Sequence, residues 1–262
     1  MPITQNVIIE DAELPATLPC MVGAPMPSGS GTGFTPSPVF SPLDLSGLVL
    51  WLRADLGITI ATGVSAWADQ SGQGHNVTQA TGGSQPTFNA VDGAYNGAST
   101  LSFLGSSSQY MRSAAWSSGP SQPLEVVIVG DIAPQSNTYF FDGAIIDTMI
   151  MGAQATNRLI AYAGTTRGTP TNSYSSQVPC VFSAFFNGAS SFIYLNNSQV
   201  SADSGNIGTN TTTGVTVGAS GSTGSPMTGK IAEVVIYEGG LTLATRRQLF
   251  VYLGQRYGIA TS

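Results

Sequence analysis

The stretch 229-GKIAEVVIYEGGLTLATRRQLFVYLGQRYGI-259 decides the fold. An apolar strand carrying Ile231, Val234, Val235, Ile236 and Tyr237 runs into a break at Gly239-Gly240. Thr242 then offers a side-chain oxygen as an N-cap, and the segment from there to Tyr257 reads as a helix. Leu249, Leu253 and Tyr257 recur at helical spacing, and Phe250 and Val251 widen the apolar stripe. Arg246, Arg247 and Gln255 are expected to face water, and Gly258 to end the helix in the left-handed region. The residues ahead of this point read as β, so a lone closing helix marks a β-sandwich with one helix packed on its side. A charge at Leu253 is expected to cost several kcal/mol, the scale of damage to a packed core.

Working back from this ending, Leu124–Asp131 (LEVVIVGD) is a near-continuous apolar run, the mark of a central strand buried on both faces. Further strands are expected at Leu48–Leu52, Val64–Ala68, Thr100–Phe103, Tyr110–Met111, Tyr139–Phe141, Thr148–Met151, Leu159–Tyr162 and Val215–Gly218. Cys180–Asn187 and Ser191–Leu195 flank Gly188-Ala189-Ser190 as a hairpin. Roughly ten to twelve short strands with turn residues between them suit a sandwich or jelly roll.

The composition agrees. Only 8% of residues are charged while 42% are apolar, and there are 32 glycines. Low charge with many small polar residues suits short strands, tight turns and an extracellular or assembled-particle surface. The net charge is −6 with no basic stripe, which argues against nucleic acid as a partner. No apolar run approaches membrane-spanning length, so membrane insertion is not expected. The start, MPITQNVIIEDAELPA, shows neither a basic n-region nor an apolar h-region of a secretory signal. Cys20 and Cys180 match no metal or redox spacing, and they read as idle thiols or, alternatively, as one disulfide.

Residues 1–44 differ from the rest. They carry eight prolines and the run Ser28-Gly29-Ser30-Gly31-Thr32-Gly33, which cannot build a core. Extended arm or linker is the expected state, with one short strand at Asn6–Ile9. Val7, Ile8, Ile9, Leu14, Leu18, Phe34 and Phe40 make the segment too apolar for a purely solubilising tail. They suggest an arm that docks on a partner. The domain boundaries expected are therefore 1–44 for the arm and 45–262 for the sandwich.

Several further segments resemble a known group. LVLWLRAD (Leu48–Asp55), VSAWADQSGQGHNVTQ (Val64–Gln79), LSFLGSSSQYM (Leu101–Met111), FNGASSFIYLNNS (Phe186–Ser198), VTVGA (Val215–Ala219) and the closing segment are similar, in order, to laminin G-like domains of the concanavalin A-like lectin/glucanase group. The hairpin departs from the pattern in one place, with Asn197 where a glycine often stands. The resemblance spans about residues 46–259. It implies an all-β jelly-roll sandwich of two antiparallel sheets, and domains of this kind recur in bacteriophage virion proteins and bacterial surface proteins.

The resemblance also defines what chemistry to look for. Glycan-cleaving members carry an E-x-D-x-x-E row on one strand. This chain has five glutamates, two of them in the arm, and none is spaced into such a row. Glu233 and Glu238 fall on opposite strand faces. The single His75 lies in a Gly/Asn turn and reads as an exposed turn residue rather than a base. GASGS at Gly218–Ser222 lacks a strand-to-helix elbow, and GSGTGF at Gly29–Phe34 follows no strand. No catalytic set is expected. Such domains often bind calcium at the rim. Here Asp69 and Asn76 are the possible ligands, although too few acids gather for a hard cation, and Asp69 could simply cap its own turn. Glycan recognition would use rim aromatics: Trp116 in a Ser-rich stretch, then Tyr110, Tyr174 and Tyr95. Trp51 and Trp67 sit in strands and are expected in the core.

The function expected on these grounds is a non-enzymatic virion structural protein, a capsid decoration, head-fibre or tail component. Its arm would anchor it to other virion proteins or to copies of itself in a homo-oligomer assembled in the host cytoplasm. The alternative is a carbohydrate-binding module, extracellular or at a cell surface, for attachment to host glycan.

Overall fold

The computed structural model describes residues 40–133, 136–144, 148–200 and 206–261. The arm residues Val7, Ile8, Ile9, Leu14, Leu18 and Phe34, the strand expected at Asn6–Ile9, and Cys20 lie outside this range.

Among the described residues the strands are β1 Leu48–Arg53, β2 Ile58–Ile60, β3 Val64–Trp67, β4 Val77–Thr78, β5 Thr87–Asn89, β6 Thr100–Phe103, β7 Met111–Ser113, β8 Leu124–Ile132 and β9 Thr138–Gly143. They continue with β10 Ile150–Gln154, β11 Arg158–Tyr162, β12 Thr166–Gly168, β13 Cys180–Phe186, β14 Phe192–Leu195, β15 Ser198–Gln199, β16 Val215–Val217 and β17 Gly229–Glu238. One helix, α1 Leu243–Tyr257, closes the chain. The strands form two antiparallel sheets. The first runs β15-β14-β13-β8-β17-β6-β5 with β1 also paired to β17, and the second runs β12-β11-β10-β9-β16-β7-β4-β3-β2.

β17 is the seam of the first sheet. One edge pairs with β8 from Gly229↔Ile132 to Glu238↔Leu124. The other edge is shared, with β6 against residues 229–231 and β1 against residues 233–237. Both faces of this sheet are covered, which is why β8 reads as unbroken apolar sequence. Leu124, Val126 and Ile128 face the second sheet with Ile231, Val234 and Ile236. Val127 and Val129 face the other way, with Val235 and Tyr237, into a second core beneath Leu249, Phe250, Leu253 and Tyr257 of α1. The order of layers is therefore sheet, sheet, helix.

The helix ends fall where capping chemistry puts them. The Thr242 hydroxyl accepts from Thr245 N, and Gly258, at φ +68°, donates its N–H to Gly254 O. Two expectations fail. Val251, expected to widen the apolar stripe, is 43% exposed and points away from the sheet. Arg246 does not face water: it is 5% exposed and lies under the helix. Trp67 is fully buried between the sheets and Trp51 is buried beneath the helix side, as expected. Among the described residues no helix is long and apolar enough to cross a membrane.

Phe40, expected to be part of a partner-docking arm, packs instead on its own domain. Its ring lies 5.6 Å from that of Tyr252 on α1. A short 3-10 turn follows at Pro42–Asp44, and Pro42 O accepts from the buried Tyr237 hydroxyl.

Candidate functional site

Acids are the first candidates for chemistry, and the described ones in the centre of the first sheet are used to hold the helix. Glu125 on β8 and Glu233 on β17 are fully buried on the face that α1 covers. Glu125 takes a two-pronged ion pair from Arg246, Nε to Oε1 at 2.6 Å and Nη2 to Oε2 at 2.8 Å. Ser183 Oγ and Leu241 N also donate to it. The Arg246 guanidinium lies 4.5 Å over the Tyr194 ring, so its flat face is packed as well. Glu233 accepts from Trp51 Nε1 at 2.6 Å and from the Tyr257 hydroxyl at 2.7 Å. Burial pushes the Glu233 carboxyl up to about 7, against those two hydrogen bonds and the Arg256 and Arg53 charges. Asp131, further along β8, accepts from the Tyr95 hydroxyl at 2.8 Å, and burial raises its pKa too.

The register separates these acids. Glu233 sits opposite Val129 and Glu125 opposite Tyr237, four residues further along the same pair of strands. That is about 13 Å, whereas glycoside hydrolysis needs two carboxyls about 5–5.5 Å apart for retention or about 6.5–9.5 Å for inversion. The pair is too far apart and is closed off from water.

The open rim is built by the loop 69–76, folded against the edge of β1. Asp69 organises it. Its Oδ1 accepts from Trp51 N and Ser71 N, and its Oδ2 from Ser71 Oγ and His75 N. Asn76 Oδ1 in turn accepts from Asp69 N at 2.8 Å. The turn passes through Gly72 and Gly74 at φ +88° and +75°, which L side chains adopt only with strain. The expected calcium ligands are thus neighbours, but the Asp69 carboxylate is ringed by four donors. Among the described residues no group of three His, Cys, Asp or Glu side chains could hold a metal. The donor set fits an Asx cap and not a calcium site.

His75 is half-buried, not a free turn residue. Its ring stacks on Trp116, with centroids 4.1 Å apart and planes 19° from parallel. Its Nδ1 lies 2.8 Å from Val49 O. A carbonyl only accepts, so Nδ1 carries a hydrogen, and in the neutral imidazole Nε2 is then the acceptor. His75 and Gln73 line two adjoining rim clefts, one of about 210 Å³ reaching Gly119 and Glu238 and one of about 190 Å³ reaching Trp116 and Ser117.

Trp116 was expected as an exposed platform, yet it is only 7% exposed and belongs to the inter-sheet core. Its Nε1–H finds no acceptor among the described residues. Tyr174 is 6% exposed and packs edge-on against Phe182, and Tyr95 is fully buried. Tyr110 is half-buried, with the Arg112 guanidinium 5.3 Å over its ring. The candidate aromatics are therefore not gathered into one surface. The rim unites His75 and Trp116, while Tyr174 lines a separate cleft.

No family model and no curated protein matches the sequence. Solved structures do share its fold. Trypanosoma rangeli sialidase in complex with 2,3-difluorosialic acid aligns at 16% identity over 83% of this chain and 34% of that one, with a TM-score of 0.56. The binding domain of paraclostridial mosquitocidal protein 1 aligns at 12% identity over 80% and 52%, TM-score 0.56. A botulinum neurotoxin type C structure concerned with interaction with two ganglioside molecules aligns at 11% identity over 81% and 52%, TM-score 0.52. This chain spans about a third to a half of their lengths. Identities this low show a common architecture alone, that of a β-sandwich of two antiparallel sheets.

Proposed function

We propose that this chain is a lectin-like recognition domain without hydrolytic activity, binding cell-surface glycan at the rim where His75 stacks on Trp116. The observation that carries the reading is this stack at the junction of two polar clefts, with the imidazole locked by Val49 O and its Nε2 left as an acceptor for a ligand hydroxyl. The buried, separated acids support binding over cleavage. The similar binding domain of a mosquitocidal protein and the ganglioside-interacting neurotoxin support an extracellular glycan partner. A glycan array probed with the full chain, followed by calorimetry on the hits, tests it. The expected result is saturable binding that His75→Ala weakens at least about tenfold, the loss of one well-placed hydrogen bond and its stacking. An array without hits, or hits that His75→Ala leaves untouched, overturns it.

The virion reading is kept as a second proposal on one observation, the apolar, proline-rich composition of residues 1–39. The similar structures named above give it no support. Its test is incorporation of the chain into a particle with and without those residues.

A further inference from the structure

A larger cleft, of about 480 Å³, lies at a different place. Its walls are the loop 172–180, the turn after β14 at Leu195–Asn196, and the tail Gly258–Ala260 that follows α1. It shares no lining residue with the rim clefts and falls in the size range of small-ligand pockets, about 300–1,000 Å³. We propose that this cleft is a second ligand site, taking a neutral, hydroxyl-rich ring of monosaccharide size.

Three features select that chemistry. Among the described residues no charged side chain lines the cleft, so none of them compensates the desolvation of an ionic ligand. Asn172 and Ser175 supply short polar groups, beside Ser173 and Asn196 whose side chains already bond Asn157 O and Val181 N, while Leu195 and Ile259 supply an apolar wall, the two-sided character of a pyranose ring. The third feature is Tyr174, which lines the cleft and is 94% buried by its 6% exposure, yet its hydroxyl has no hydrogen-bond partner among the described residues. A buried hydroxyl without a partner is costly and rare. Burial also pushes its pKa up to about 12, so it stays a donor through the physiological range. The ring is packed in the inter-sheet core against Phe182, and a ligand oxygen in the cleft would supply the partner its hydroxyl lacks. Cys180 stands in the same wall with its thiol pushed up to about 11 by burial, so it adds no negative charge.

The proposal rests on this cleft and not on the rim site, and the test keeps the two apart. Amide resonances of the full chain, labelled with nitrogen-15, are followed while methyl pyranosides of glucose, galactose and mannose, N-acetylglucosamine, and N-acetylneuraminic acid are added at millimolar concentrations. At least one neutral sugar is expected to shift residues 172–180 and 258–260, and N-acetylneuraminic acid to leave them in place. Tyr174→Phe is expected to weaken the neutral sugar about tenfold while leaving the melting temperature unchanged or higher, because the hydroxyl it removes is unpaired in the fold. His75→Ala is expected to leave these shifts intact. The proposal is overturned by the absence of shifts with every neutral sugar, by equal binding to Tyr174→Phe, by a lower melting temperature of that variant, or by loss of the shifts in His75→Ala.

Discussion

Glu233 makes the stability of this domain depend on pH in an unusual direction. The carboxyl is fully buried between β17 and α1, and Trp51 Nε1 and Tyr257 Oη both donate to it. Its folded pKa of about 7 stands above the unfolded value of 4.5. The folded state therefore holds the proton more tightly than the unfolded chain. The stabilisation is fully present below pH 4.5, falls as the pH rises, and is gone once the pH passes about 7. The rise is worth roughly 3 kcal/mol, or a shift of about 6–10 °C in a domain of this size. Asp131, also raised, acts in the same direction. Asp55 and Asp92 are lowered from 3.8, so their contribution is lost only at pH values below this window. Urea denaturation at intervals from pH 4.5 to 8 measures the slope. Glu233→Gln keeps an acceptor and removes the charge. It should match the wild type near pH 5 and exceed it by about 2–3 kcal/mol at pH 8. A wild-type stability that is flat across the window, or a variant that keeps the full slope, refutes the reasoning.

Three other perturbations follow from the same contacts. Arg246→Met strands the Glu125 carboxylate in the core and should cost about 3–5 kcal/mol by chemical denaturation, whereas the double variant Arg246→Met/Glu125→Leu should recover most of it. Asp69→Ala removes the acceptor for three donors of the rim loop and for Trp51 N on β1 and should cost about 2–3 kcal/mol, while calcium or EDTA should not move the wild-type melting temperature; a calcium-dependent rise would restore the metal reading. Deleting residues 1–39 should leave the melting temperature of the sandwich unchanged, but deletion through Asp44 should lower stability by about 2–3 kcal/mol, because Tyr252 loses the Phe40 ring and the buried Tyr237 hydroxyl loses Pro42 O.

The long elements were legible because each announces itself locally. The helix has a hydroxyl cap, an apolar stripe and a terminal glycine, and β8 and β17 are apolar on both faces. The strands Ile58–Ile60, Val77–Thr78, Thr87–Asn89, Thr166–Gly168 and Ser198–Gln199 were not. Two or three residues cannot show alternation, and neighbours in the sheets hold them in place. The helix anchors were missed for a different reason. Glu125 meets Arg246 across 121 residues and Glu233 meets Trp51 across 182. Yet a signal was there. Arg246, Phe250, Leu253 and Tyr257 share one helical stripe, so the spacing placed Arg246 on the buried face even though its charge argued for water. An acid inside an apolar run buried on both sides needs a donor, and the helix above it was the place to look. The rim was half legible. The Gly/Asx turn was recognised, but the burial of Trp116 against His75 depends on packing that a Ser-rich local sequence does not reveal.

Where a ligand can bind follows from what each sheet face is already doing. The outer face of the first sheet is covered by α1, and its acids are engaged there. Across the second sheet, Thr78, Arg112, Thr216 and Asp142 form one cross-strand row through β4, β7, β16 and β9. That face is closed in its middle, because Gly221 N donates to Asp142 and Gly221 O accepts from Arg112, and Thr216 and Asp142 are fully buried. With the helix on one side and the segment around Gly221 on the other, the described residues offer no open row of polar groups in the centre of either sheet. On the proposed reading, recognition falls to the loops at the margins, where the His75–Trp116 rim and the Tyr174 cleft lie. It is there, rather than on a sheet face, that a substitution can change binding without first breaking the core.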